Sequence, residues 1–123
     1  MNNRDRVLGY LASFASGNPD QVVVHVTDDF DNQQVSELGA SCQGRETYRQ
    51  RLAAFLADFK ELRYEAQTVI AQGDQAAVPY KMSCRYGDKP VVIDGVMIMT
   101  LRNGLIASRA DYWDGVSFLK QTE

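Results

Sequence analysis

The sequence predicts an α+β fold, a mostly antiparallel sheet with helices packed on one face. Three observations carry this. In the first half of the chain, apolar residues recur at helical spacing. From Leu62 onward they alternate at strand spacing. The turns joining those later strands are too short for parallel crossovers, so neighbouring strands run antiparallel.

Along the chain, Val7, Leu8, Leu11, Phe14 and Ala15 mark a first helix from about Asp5 to Ser16, stopped by Gly17. Asn18 then caps a second, short helix with Pro19 at its first position, expected to end near Thr27-Asp28-Asp29. Phe30 to Gly44 mixes polar residues and glycine, and predicts a short irregular strand and a loop. Tyr48, Leu52, Phe55, Leu56 and Phe59 form an amphipathic stripe and place a third helix at about Arg45 to Asp58. Leu62 to Ile70 alternates as a strand, and Ala71-Gln72-Gly73-Asp74 turns the chain. The next strand runs from about Gln75 to Tyr86, with Pro79 marking an edge or a bulge.

Gly87-Asp88 turns again, into Val91–Leu101, which is apolar on nearly every residue. Such a strand needs cover on both faces: the core on one, a partner subunit on the other. Arg102-Asn103-Gly104 is a tight hairpin, Leu105 to Trp113 the last long strand, and Asp114 the cap of a terminal helical turn holding Phe118 and Leu119. No repeat or linker interrupts residues 1–123, which read as one domain.

Composition narrows the function. The chain has 123 residues, 45% of them hydrophobic and 24% charged, enough for a core without staples. A net charge of −3 argues against nucleic acid as a partner. No apolar run reaches the length of a membrane span, and the polar start, Met1 to Arg6, is no signal peptide. Cys42 and Cys84 form no CxxC and read as reduced thiols of a cytoplasmic protein. His25 is the one histidine, so sites needing two or three imidazoles are excluded, and no metal or other cofactor is expected. The dinucleotide, P-loop, HExxH and GxSxG motifs are absent. Any catalysis therefore rests on carboxylates, tyrosines, arginine or lysine. Asp28, Asp29 and Asp31 lack the spacing of a calcium loop and read as acids at a helix end.

Several pieces carry a family resemblance: Thr27-Asp28-Asp29-Phe30, then Gly44-Arg45-Glu46-Thr47-Tyr48 opening the third helix. The most marked runs from Asp94-Gly95-Val96 through Asn103-Gly104-Leu105-Ile106 to Asp111-Tyr112-Trp113-Asp114. With the order of elements, these resemble the nuclear transport factor 2-like superfamily, SnoaL-like branch, over almost the whole chain. The resemblance implies a curved, mostly antiparallel sheet wrapped around N-terminal helices to form a conical pocket. It also implies one of several activities: isomerase, hydratase, hydrolase, cyclase, or plain binding. Asp111 falls where epoxide hydrolases and cyclases carry a last-strand acid. The Arg-x-Asp pair of the hydrolases is missing near Ala77 to Pro79. Gln34 and Val96 stand where steroid isomerases carry acids.

Asp111 is accordingly the expected acid/base, and period two puts Arg109 on its face. An arginine beside a carboxylate favours the charged form. Asp94 and Val96 share a face and, if it lines the cone, contact substrate. Tyr10, Phe14, Tyr48, Phe59 and Trp113 are candidates for an apolar wall with polar tips. Gln34, with Asn32 and Gln33, offers an amide to a carbonyl or a water. His25 follows three valines without an evident partner. The expected ligand is a small apolar molecule with a polar group, the expected assembly a homodimer through the outer sheet face. A non-catalytic ligand-binding or protein-interaction module is the alternative.

Overall fold

The computed structural model describes residues 2–123. Asn2 caps α1 (Asn3–Ser13) by accepting a bond from the Asp5 N–H at 2.8 Å. A 3-10 turn, Phe14–Ser16, continues it, and Gly17 ends it in the left-handed conformation at φ 68°. Asn18 caps α2 (Pro19–Val23), with Pro19 in its first turn.

The next segment departs from expectation. Helix α2 ends at Val23 rather than near Asp29, and the chain enters a nine-residue strand, β1 (Val26–Gln34). Two-residue β2 (Cys42–Gln43) pairs with it. Aspartate, asparagine and glutamine do not mark a strand. What holds β1 is parallel pairing with β7 (Leu105–Trp113), with a register irregularity between Val26 and Asp31. The acids are strand residues: Asp28 pairs with Arg45 at 2.6 Å and Asp29 with Arg102 at 2.5 Å. Among the described residues, no His, Cys, Asp or Glu cluster is placed to hold a metal.

Helix α3 spans Arg45–Asp58. The strand expected from Leu62 to Ile70 is two strands, β3 (Phe59–Ala66) and β4 (Ile70–Gln72). Both pair with β5 (Gln75–Tyr86). Pro79 marks the break: β5 is an interior strand, so of edge and bulge the edge is ruled out, and residues 67–69 face only Val78 and Pro79 at an irregularity. Pro79 lies where β5 changes neighbour from β3 to β4, and its carbonyl accepts from the Gln67 N–H at 2.8 Å. A missing N–H is tolerated at such a gap. β6 (Lys89–Arg102) and β7 complete the sheet, joined through Asn103 and Gly104, both at positive φ as a primed hairpin turn requires. Asp114 caps α4 (Gly115–Thr122), accepting from the Ser117 N–H at 3.0 Å.

The strand order is β2-β1-β7-β6-β5-β3, with β4 beside β5, and only β1 and β7 run parallel. The sheet's inner face carries Val78, Tyr80 and Met82 of β5 and Ile93, Met97 and Met99 of β6, all buried. They pack with Val7, Tyr10 and Leu11 of α1 and Tyr48 and Leu52 of α3 in one core. The outer face leaves Val92, Ile98 and Tyr112 exposed, so apolar β6 is covered on one side only in the single chain. Among the described residues, no helix is long and apolar enough to cross a membrane.

Candidate functional site

Strand β7 points Arg109, Asp111 and Trp113 to the inside of the curved sheet, into a cavity of about 400 Å³. Arg109 and Asp111 are almost completely buried and bonded to each other, Arg109 Nη2 donating to Asp111 Oδ2 at 2.6 Å. The other carboxylate oxygen accepts from the Tyr80 hydroxyl, also at 2.6 Å. Arg109 Nη1 donates to the hydroxyls of Tyr10 at 2.9 Å and Tyr48 at 3.3 Å, which bond to each other at 2.6 Å. Nη2 also reaches Tyr64 at 3.5 Å. The guanidinium carbon lies 5.6 Å from the ring centre of Phe14, so the cation sits in an aromatic cage. Its Nε is, among the described residues, the one fully buried side-chain nitrogen or oxygen without a hydrogen-bond partner.

Electrostatics follow from this packing. Burial opposes the charge on Arg109, but the surrounding tyrosine oxygens and Asp111 outweigh it and raise its pKa well above the usual value. Burial pushes the phenols of Tyr10, Tyr48, Tyr64 and Tyr80 above their ordinary range, so all four stay protonated as donors.

A second polar chain runs beside the first. Trp113 Nε1, which can only donate, bonds to Gln34 Oε1 at 3.0 Å. That orients the Gln34 amide, whose Nε2 donates to Asn32 Oδ1 at 3.2 Å. The Asn32 amide nitrogen, at the cavity lining, is left without an acceptor among the described residues. The parallel register explains the placement: Asn32 stands opposite Arg109, and Gln34 opposite Asp111. The cavity thus joins a carboxylate acceptor to an amide donor, under walls that include Phe14, Phe55 and Phe59.

Of the residues singled out in the sequence, Phe14, Gln34, Tyr48, Phe59, Arg109, Asp111 and Trp113 line the cavity. Tyr10 lies behind the wall and reaches it through its bonds to Tyr48 and Arg109. Asp94 and Val96 do share a face, but the outer one. Asp94 is exposed and bonded to Lys81 at 2.9 Å. The inward positions of that stretch are Ile93, Gly95 and Met97, so the pocket reading of both residues is corrected. His25 is outside the cavity lining, its pKa lowered by burial.

Sequence reasoning missed Tyr64, Tyr80, Phe55, Phe118 and Arg51, all of which line the cavity. The two tyrosines had a signal: each alternates in phase with its strand's apolar residues, Leu62 and Ala66 or Met82 and Cys84. Phe118, on α4, stacks over Phe59 at 5.8 Å and closes one side of the mouth.

Solved structures share this architecture. A hypothetical protein with a ketosteroid isomerase-like fold from Catenulispora acidiphila, in complex with trimethylamine, superposes with a TM-score of 0.88 at 19% identity, over 95% of this chain and 91% of that one. An epoxide hydrolase/cyclase-like enzyme of pyran ring formation in the polyether salinomycin, SalBIII, gives 0.81 at 20% identity, over 94% and 92%. An LEH-like epoxide hydrolase of M. tuberculosis gives 0.82 at 16%, over 95% and 86%. These likenesses are of fold. No curated protein matches the chain by sequence. The sequence profile of the SnoaL-like domain matches residues 7–109, most of the chain, and ends at Arg109 within β7, before Asp111 and Trp113. The chain therefore belongs to the SnoaL-like domain family.

Proposed function

We propose that this protein is a cofactor-independent enzyme for a small, mostly apolar molecule with a polar group. Asp111 is its acid/base and Arg109 the residue that holds Asp111 in place. The observation that carries this is a buried carboxylate at the polar end of an apolar cavity, oriented by two donors. Each carboxylate oxygen has a second lone pair to take a proton from water or from a carbon next to a carbonyl. The Asn32 amide nitrogen is the nearby donor for developing negative charge. Phe14, Gln34, Tyr48, Phe59 and Trp113 form the binding wall. Isomerisation, hydration or hydrolysis, and cyclisation all fit such a site, and the epoxide hydrolase and cyclase-like neighbours support the reading.

A non-catalytic ligand-binding or interaction module of the same fold is the second reading. Gln34 favours it, being an amide where steroid isomerases of this superfamily carry an acid.

The test is a thermal-shift screen of apolar carbonyl, epoxide and polycyclic compounds on wild type and Asp111→Asn. A ligand that binds only the folded state raises the melting temperature. The expected result is a hit whose shift changes in the variant, and whose turnover the variant lacks. Hits indifferent to the substitution make Asp111 structural. Hits that depend on Asp111 but are never converted favour the binder.

The outer sheet face supports the proposed homodimer, since Val92, Ile98 and Tyr112 sit exposed on it. Ile98→Asp is expected to turn a sedimenting dimer into a monomer. A wild type that sediments as a monomer removes the proposal. The buried, unpaired Cys42 and Cys84 are consistent with the cytoplasm.

A further inference from the structure

Three charged side chains line the cavity: Arg51, Arg109 and Asp111. Arg109 and Asp111 neutralise each other at 2.6 Å. Arg51 forms no salt bridge among the described residues, and its one hydrogen bond is to the Ser41 carbonyl, at 2.9 Å. The cavity therefore carries one uncompensated positive charge.

Its position is set by α3. Tyr48, Arg51, Leu52 and Phe55 recur at helical spacing along the lining. Tyr48 is buried and bonded to the polar floor, whereas Arg51 is exposed one turn further on. Arg51 thus marks the mouth. The rest of the lining is largely apolar, with Leu38, Phe55, Phe59 and Phe118 in it, and Asp111 is its one acid among the described residues. The other arginines of α3 are already paired, Arg45 with Asp28 and Arg49 with Asp20, which leaves Arg51 as its cation without an acid partner among the described residues.

We infer that the ligand is a carboxylate: an apolar, ring-sized body whose anionic end is held by Arg51 at the mouth. Its neutral polar group then faces Asp111. This rests on the pocket proposed above and names its substrate class. A guanidinium matches a carboxylate with two parallel bonds, which a neutral amide or ester cannot reproduce. Arg109 is committed to Asp111 and to the phenols, which leaves Arg51 to take the charged end, so that end is turned outward and one orientation is selected.

Trp113, the only tryptophan, lines the cavity, so its fluorescence reports occupancy. The probes are 2-naphthoic acid and 2-naphthamide, alike in shape and different in charge. Wild type is expected to bind the acid about fivefold more tightly than the amide, a ratio typical of a partly exposed charge-assisted contact. Arg51→Gln should abolish that preference, Arg51→Lys keep part of it, and Arg51→Glu reverse it, the readout in each being the ratio of acid to amide affinity. Raised salt should shrink the preference in wild type. Equal binding of acid and amide by wild type overturns the inference and leaves the pocket standing, as does a preference that survives in Arg51→Gln. If neither probe binds wild type, the pocket reading fails and the inference falls with it.

Discussion

Arg109→Met is expected to lower the free energy of unfolding by about 3–5 kcal/mol. The residue is 4% exposed and its partner Asp111 2%. Removing the cation leaves a buried carboxylate with the Tyr80 hydroxyl as its one remaining donor. It also takes a donor from Tyr10, Tyr48 and Tyr64, though Tyr10 and Tyr48 still bond each other. Most of the loss is the unpaired charge rather than the lost contact. The double variant Arg109→Met, Asp111→Leu is therefore expected to be more stable than the single one. It should lie within about 1–3 kcal/mol of wild type, the residue being the unsatisfied Tyr80 hydroxyl. Urea unfolding of the four proteins checks this. A single variant that loses less than about 1 kcal/mol would mean that water solvates the pair, and that the cavity floor is not the low-dielectric site described.

The parts of this fold that local chemistry specifies were legible in the sequence. Asn18-Pro19, Gly17 and Asn103-Gly104 act through their own backbone geometry, and the Tyr48–Phe55 stripe through a single helix. Of β1 a short irregular strand after Phe30 was legible but not its start at Val26 or its length, because its polar residues are held as a strand by β7, far along the chain. Within the site, period two carried Arg109 and Asp111 together. It does not say which face of a strand is inward when both are apolar. β6 is such a strand, with Ile93, Met97 and Met99 inside and Val92 and Ile98 outside. Asp94 and Val96 took the wrong face for that reason. Arg51 was missed because an exposed arginine on a helix ordinarily means a solvated surface, and only the curvature of the sheet brings it to a mouth.

Gly95→Ala is expected to cost about 1–3 kcal/mol and to disturb Asp111 without touching it. Gly95 does not have positive φ, so backbone freedom is not what it supplies. It supplies space. A Cβ there would come within 2.6 Å of Tyr80 Cζ, nearer still to its hydroxyl, and within 2.8 Å of the Tyr112 carbonyl. The carbonyl belongs to the sheet, so the Tyr80 ring has to move. That ring holds the hydroxyl donated to Asp111 Oδ1. A stability loss therefore comes with a looser carboxylate, and any turnover that depends on Asp111 should fall in Gly95→Ala as well. The cause can be isolated by a cycle. In a Tyr80→Ala background most of the clash is gone, and the same Gly95→Ala change should cost clearly less, by a coupling of about 0.5–3 kcal/mol. Strict additivity would mean that the Tyr112 carbonyl alone excludes the methyl group and that Tyr80 is not the reason for the glycine. The cycle would thus tell whether Asp94-Gly95-Val96, one of the pieces by which the sequence resembles its family, bears on the site through the glycine alone: its two neighbours point away from the cavity, and only the missing side chain faces in.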